Sequence, residues 1–305
     1  MLNEQPKANS VPLCGKVEQN ITATAACSIA RDALALWELP SKREAMEVLS
    51  QLNEKFPDDE KPSEFWHNAS SKKFCDFFIW GHNHDFGHGV FRAGAMEDRH
   101  IEITAEAIQF GFLPSNLKKK KILDIGCWSG GDLLILAGMG GEVTATEEHP
   151  RSADSAQHLM KLLNCPADVI GQSIYQDRPE WRQSFDIIYC SGVLYHVTDP
   201  LLLLRICFCY LRPGGRLIIE TKAWTDTQAS ACHYSGSSIM GWNFFTPTEL
   251  ALARWFFDVG FTAGNIQIYT RPMKRFLACA KKEEGVFFRE SAGFSRPGSW
   301  LEKEN

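Results

Sequence analysis

The chain of 305 residues has no apolar run of about 18 residues, so it offers no membrane-spanning helix. Its longest greasy segment, residues 201–211, is interrupted by Arg205 and reads as one buried helix face. The opening MLNEQPKANSVPLCG has no apolar core of a secretory signal, which makes the cytoplasm the expected compartment. Ten cysteines are present without a single C-x-x-C pair. That scatter speaks against a disulfide scaffold and for a reducing compartment. Positive charge is not in excess either: the net charge of −5 excludes a surface built as a whole for nucleic acid, though not a local basic patch. No internal repeat is present.

What is there is ordinary globular material, 44% apolar and 23% charged. It is enough for one full α/β domain with additions, or two modest domains. Residues 1–20 are aperiodic and read as a loosely held terminus. Helical spacing predicts a helix over 23–37, ended by Pro40. Ser41 and Glu44, at capping-box spacing, open a second helix to about 56. A charged break at 57–62 precedes a third expected helix over 64–79. The segment 80–100, WGHNHDFGHGVFRAGAMEDRH, follows neither a 2.0 nor a 3.6 repeat and reads as an ordered functional loop. A helix over 101–112 leads to the basic run 118–121, read chiefly as a solvated approach to a strand.

From there strands alternate with helices. Strands are expected at 122–125, 142–147, 167–171, 185–191 and 215–221, which predicts a parallel sheet covered by helices. After an amphipathic helix beginning near Glu249, segments 265–269 and 275–280 are close enough to form an antiparallel pair at the sheet edge. The tail from Lys281 carries no pattern.

The informative stretch is KKILDIGCWSGGDLL. A strand ends at Asp124, a tight turn carries Gly126, Cys127, Trp128, Gly130 and Gly131, and a helix starts near Asp132. Backbone N–H groups are thereby brought close to a ligand. About twenty residues on, at the end of the next strand, Glu147 is placed to accept both hydroxyls of an adenosine ribose, with Glu148 beside it. The turn is not G-x-G-x-x-G, which disfavours a nicotinamide dinucleotide.

LDIGCWSG, the acidic second strand, FDIIYCSGVLYHVTDP and LRPGGRLIIET together resemble the class I S-adenosylmethionine-dependent methyltransferases, over about residues 121–281. The resemblance implies a Rossmann-like α/β fold, a seven-stranded sheet ending in an antiparallel hairpin. It also implies S-adenosylmethionine as cofactor. It places Asp124 and Gly126 at the methionine moiety and Glu147 at the ribose. Ser173, Ile174 and Tyr175 then line the adenine, unless Ile174 and Tyr175 are ordinary core, and Ser191 and Gly192 close the pocket. Trp128 stands where that family often has glycine, and its ring is expected to pack over the cofactor or narrow the site. The domain organisation then reads as a helical extension with a cover loop over 1–100, the cofactor domain over 101–282 with a lid insertion at about 224–247, and a tail over 283–305.

SGVLYHVTDPL, NFFTPTELALARWFFDVGF and WGHNHD are similar to the bacterial enzymes that carboxymethylate hydroxyuridine at the tRNA wobble position, extending the match to about residue 74. Those enzymes read the extra carboxylate of a carboxylated cofactor with a lysine, a tyrosine and an arginine. Tyr195 and Arg275 hold the tyrosine and arginine positions, while the lysine position falls near Phe74, with Lys72 and Lys73 out of register. An unpaired carboxylate in a dry site is costly, so the ordinary cofactor is expected.

Methyl transfer needs an in-line nucleophile and the removal of one proton. Candidate bases are His196 beside Tyr195, and His84 or His88 in the cover loop. Trp80, His82 and Asp85 are candidate substrate contacts from the same loop. A metal reading of His82, His84, His88 and Asp85 matches no specific zinc spacing and is set aside. His233, Tyr234 and Trp242 in the lid are further substrate candidates, while Phe244 and Phe245 read as packing. Three functions stay open. They are a methyltransferase acting on a small-molecule acceptor, an enzyme modifying the tRNA wobble uridine, and a cofactor-binding protein that has lost catalysis.

Overall fold

A computed structural model describes residues 14–59, 77–236 and 243–284. The expected helix over 64–79 lies largely outside those residues, and its described end, 77–79, is not helical. Lys72, Lys73, Phe74 and Trp242 also lie outside them.

Seven strands form one sheet. β3 (Lys121–Ile125), β4 (Glu142–Thr146), β5 (Asp168–Ile170), β6 (Phe185–Ser191) and β7 (Leu211–Lys222) are joined by β10 (Ile266–Arg271) and β11 (Arg275–Lys281). Their order across the sheet is β10-β11-β7-β6-β3-β4-β5. All pairs from β5 to β7 are parallel, whereas β11 runs antiparallel to both β7 and β10. This is the Rossmann-like α/β sheet with an edge hairpin that the sequence predicts.

Alternation along the strands builds two cores, because successive side chains point to opposite faces. Ile122, Ile187, Tyr189, Ile218 and Leu277 enter one core; Leu123, Ile188, Cys190, Leu217 and Ala278 enter the other. The first core is closed by α1 (Ala23–Ala35), α2 (Lys42–Lys55), α3 (Arg99–Gln109), α4 (Gly131–Gly138) and α5 (Pro150–Leu162). The second is closed by α6 (Pro200–Tyr210) and α7 (Glu249–Asp258). Thr22 caps α1, Ser41 caps α2 and Thr248 caps α7, each accepting from a backbone N–H of the first turn.

The N-terminal helices pack directly on this domain. Trp37 Nε1 donates to the Leu134 carbonyl of α4 at 2.8 Å. The loop over 80–100 contains a short hairpin, β1 (His84–Asp85) with β2 (Phe91–Arg92), and the lid contains another, β8 (Cys232–Tyr234) with β9 (Phe245–Pro247). Among the described residues no helix is long and apolar enough to cross a membrane.

Candidate active site

Parallel strands deliver their C-terminal ends to one edge, and the predicted site residues gather there. β3 ends in Asp124 and Ile125, and the turn that follows requires glycine: Gly126 has φ +74, and a Cβ there would lie 2.4 Å from Val193 Cγ2. The Gly126 N–H donates to the Thr146 carbonyl at 2.8 Å, tying the turn to β4. Gly130 ends the turn at φ +90 and opens α4.

Glu147 holds the turn from the other side. Its Oε2 accepts from the Trp128 N–H and its Oε1 from the His149 N–H, both at 2.9 Å. Burial raises its pKa against the opposing effect of those two bonds. Asp124 and Asp132 are buried as well. Burial raises both, with Asp132 and Glu147 adding to the effect at Asp124 and Glu220 at Asp132. Asp124 Oδ2 and Asp132 Oδ1 are buried without a hydrogen-bond partner. Glu148, next to Glu147, is exposed, and Cys127 is buried with its thiol held well above the ordinary range by burial.

Trp128 takes a left-handed backbone, φ +49, unusual for a bulky residue. Its ring turns back toward the cover: Nε1 donates to the Ile79 carbonyl at 3.0 Å, and the ring meets His82 edge-on at 5.7 Å. The Gly81 N–H donates to Ser129 Oγ at 2.9 Å. The cover loop is therefore bolted to the glycine turn by two residues of that turn, Trp128 and Ser129.

Inside the cover three histidines lie together. His82 and His100 have ring centroids 4.6 Å apart, and His84 stacks on His100 at 6.4 Å. Burial lowers all three, His82 to about 3, His84 to about 4 and His100 to about 2, so each imidazole is neutral near neutrality. His82 Nδ1 and His84 Nε2 are buried without a partner. The cluster abuts the start of α4, where a Cβ on Gly131 would lie 2.8 Å from His82 Nδ1. His100 was missed in sequence. It lies in the first turn of the following helix, and the bond from the Asn83 N–H to the Glu97 carbonyl ties the residues just before that helix to the loop.

Other cover residues are placed differently. Trp80 is fully buried, gives Nε1–H to His84 Nδ1 at 2.9 Å and carries the Arg92 guanidinium 4.0 Å above its ring. Asp85 is exposed and accepts from the Gly87 N–H, while exposed His88 meets the Leu39 carbonyl through Nε2 at 2.9 Å. Asp85 thus ends β1 and His88 lies in the turn that follows, both exposed, whereas His82 and His84 are buried. Among the described residues no group of three or more His, Cys, Asp or Glu converges as a cation site.

Beyond β5, Ser173 is half-buried, Ile174 is part of the second core and Tyr175 donates its O–H to the Asp199 carbonyl at 2.9 Å. Ser191 ends β6, and the Gly192 N–H donates to the Glu220 carbonyl at 3.0 Å. Tyr195 follows, buried, with the His196 ring 4.1 Å away. The Phe244 N–H donates to the Tyr195 carbonyl at 2.8 Å, which fastens the lid to this loop. On the lid, His233 and Tyr234 are exposed; His233 Nδ1 meets Ser235 Oγ at 3.1 Å and the Tyr234 ring rests on Phe245 at 5.1 Å.

Arg275 lies beside Tyr195, its Nη2 3.5 Å from the hydroxyl oxygen. Its guanidinium is gripped through Nε and Nη2 by both oxygens of Glu220, a buried carboxylate that also accepts from Arg271 Nη1 at 3.1 Å. Glu220 was passed over in sequence because it sits in the apolar run of β7. A lone carboxylate within such a run was the available signal.

The sheet order, the glycine turn after β3 and the carboxylate after β4 define a Rossmann-like α/β class. The chain belongs to the family described as Methyltransferase domain, which matches residues 97–267. It is similar to a tRNA U34 carboxymethyltransferase of Cellvibrio japonicus, 31% identical over 156 residues, 50% of this chain and 48% of the relative. It is also similar to a ubiquinone biosynthesis O-methyltransferase of Xanthomonas campestris pv. campestris, 36% identical over 103 residues, 33% of this chain and 42% of the relative. The chain spans about half the length of the curated relatives it matches. In structure it resembles the N-terminal domain of EvdMO1, crystallised in the presence of SAH and D-fucose. The TM-score is 0.54 at 16% identity, over 80% of this chain and 98% of that one, a likeness of fold.

Proposed function

We propose that the chain transfers the methyl group of S-adenosylmethionine to a polar small-molecule acceptor held between the turn after β3 and the histidine-lined cover. The observation that carries this reading is the gathering of buried polar atoms without partners around the start of α4: Asp124 Oδ2, Asp132 Oδ1, His82 Nδ1 and His84 Nε2. Buried polar atoms are normally hydrogen-bonded, so such a gathering fits a pocket whose ligand supplies the missing bonds. An amino-acid-bearing nucleoside suits the donor set. Asp124 answers its ammonium group, and Glu147 keeps lone pairs for ribose hydroxyls beyond those used by Trp128 and His149.

When bound, the cofactor supplies a methyl group activated by its sulfonium. The chain's own residues orient the acceptor in line and take one proton from it. His196, beside Tyr195 at the end of β6, is the favoured base, with buried neutral His84 as the second candidate. The relatives named for O-methylation in ubiquinone biosynthesis support a small-molecule acceptor. The relatives named for tRNA U34 support the second reading, a wobble-uridine enzyme. Against it, the basic run 118–121 leads into the start of β3, the sheet edge opposite the turn, and Lys120 pairs with Asp186 there.

Calorimetry with S-adenosylmethionine is the test, followed by incubation of extracts with methyl-labelled cofactor to find what acquires the label. Absence of binding at millimolar cofactor overturns the reading. Label entering tRNA, with steeply salt-dependent retention, replaces it by the second.

A further inference from the structure

The surroundings of His84 tell its two ring nitrogens apart. Nδ1 lies 2.9 Å from the Trp80 indole nitrogen and 2.9 Å from the His82 carbonyl oxygen, while Nε2 is buried without a partner. An indole N–H can only donate and a carbonyl can only accept, so Nδ1 serves one of them and not both.

If Nδ1 carried the hydrogen, it would donate to His82 and leave the N–H of a fully buried tryptophan facing another hydrogen. If Nδ1 is bare, it accepts from Trp80, and only the His82 carbonyl is left without this donor. Orphaned buried N–H groups are rarer in folded proteins than under-satisfied carbonyls. Nor is Trp80 free to turn away: its ring carries the Arg92 guanidinium 4.0 Å above it, and its backbone N–H donates to Asp58 Oδ1 at 2.7 Å. The bare form of Nδ1 therefore prevails. Burial keeps the ring neutral near neutrality, so its one hydrogen sits on Nε2, the nitrogen without a partner.

We infer that His84 donates its Nε2–H to a neutral atom of the methyl-accepting molecule, a carbonyl oxygen or an unprotonated ring nitrogen. A neutral atom suits the site better than a carboxylate or phosphate. The cluster abuts the start of α4, where Asp124, Asp132 and Glu147 already oppose one another's charge and would oppose a further anion. The inference rests on the methyltransferase reading and narrows it: a nitrogen that carries the hydrogen cannot take the acceptor's proton, so proton removal falls to His196.

Two experiments test this. In the first, long-range proton–nitrogen NMR spectra are recorded on the full chain with nitrogen-15-labelled histidine, and the His84 signals are assigned by their loss in His84→Gln. Nδ1 should appear as the bare nitrogen and Nε2 as the N–H. Trp80→Phe keeps a ring beneath Arg92 but removes the indole donor, and should move the hydrogen to Nδ1. In the second, extracts are incubated with methyl-labelled S-adenosylmethionine. His84→Leu should lower incorporation of label by about ten- to a hundred-fold, the cost of leaving a buried polar atom unpaired. His84→Gln, whose amide can donate but cannot act as a base, should recover part of it. S-adenosylhomocysteine affinity should stay within about two-fold in both variants, which reports that they are folded and that the partner of His84 is not the cofactor.

A hydrogen on Nδ1 in the unaltered protein overturns the inference. So does an equal loss in His84→Gln and His84→Leu, the result expected of a base, or no loss in His84→Leu. Failure of the unaltered protein to bind S-adenosylhomocysteine or to label any molecule instead removes the methyltransferase reading beneath it, while the position of the hydrogen is still read by NMR.

Discussion

The backbone N–H of Trp128 donates to Glu147 Oε2 at 2.9 Å, so the turn after β3 and the end of β4 are locked to each other by a carboxylate. The same carboxylate is proposed to hold the ribose, which makes cofactor affinity and the shape of the turn depend on one residue.

Glu147→Ala removes both the ribose acceptor and the anchor of the turn. Cofactor affinity should fall by about ten- to a hundred-fold, in line with the loss of hydrogen bonds to a charged group. Glu147→Gln keeps one acceptor oxygen and should retain part of the affinity. Calorimetry on both variants checks this; an unchanged affinity in Glu147→Ala contradicts the assignment.

Gly126 tests the turn by sterics. Gly126→Ala adds a left-handed backbone penalty of about 1–3 kcal/mol and a contact 2.4 Å from Val193 Cγ2. Gly89 has a similar φ of +72 with nothing within 4 Å of the added Cβ. Gly89→Ala should therefore show the backbone penalty alone, and thermal melting should place Gly126→Ala clearly below it.

Most of the sheet was legible because parallel strands buried on both faces read as short apolar runs. Residues 185–191 coincide with β6, and 122–125 fall one residue short of β3. The two small hairpins were not legible: β1 and β2 have only two residues each, too few for alternation to show. The turn residues Asp124, Gly126 and Glu147 were legible through spacing. The histidine cluster was read only in part. His82 and His84 stood out, but His100 reaches them through a chain reversal, and the neighbouring His88 is turned outward by its bond to Leu39. Arg275 was identified by resemblance, while its capture by Glu220 depends on pairing between β7 and β11 that lies 55 residues apart in sequence.

The buried histidines make stability depend on pH. In the folded chain His82, His84 and His100 titrate near 3, 4 and 2, below the ordinary value of 6.5. Below pH 6.5 the unfolded chain binds protons that the folded chain refuses, so their contribution is intact above 6.5 and lost as pH falls toward the folded values. The loss is about 1.4 kcal/mol per pH unit for each such histidine. The raised carboxyls of Asp124, Asp132 and Glu147 act in the opposite sense over the same range, so the histidine contribution is read as a difference between proteins in denaturant unfolding at intervals from pH 7 to pH 4. His100→Phe should lose less stability, relative to its own value at pH 7, than the unaltered protein does as pH falls to 4.

Proton removal separates the candidate bases. His196 lies against Tyr195 at the end of β6, whereas His88 is exposed on the far turn of a hairpin and occupied with Leu39. Once the acceptor is identified, His196→Ala should lower turnover by about 10²-fold or more, the usual range for a general base, with cofactor affinity little changed. His88→Ala should leave turnover near that of the unaltered protein. If instead His84→Ala produces the larger loss, and the pH–rate profile loses its acidic limb only in that variant, the base lies in the cover. The acceptor would then approach from the side of α3.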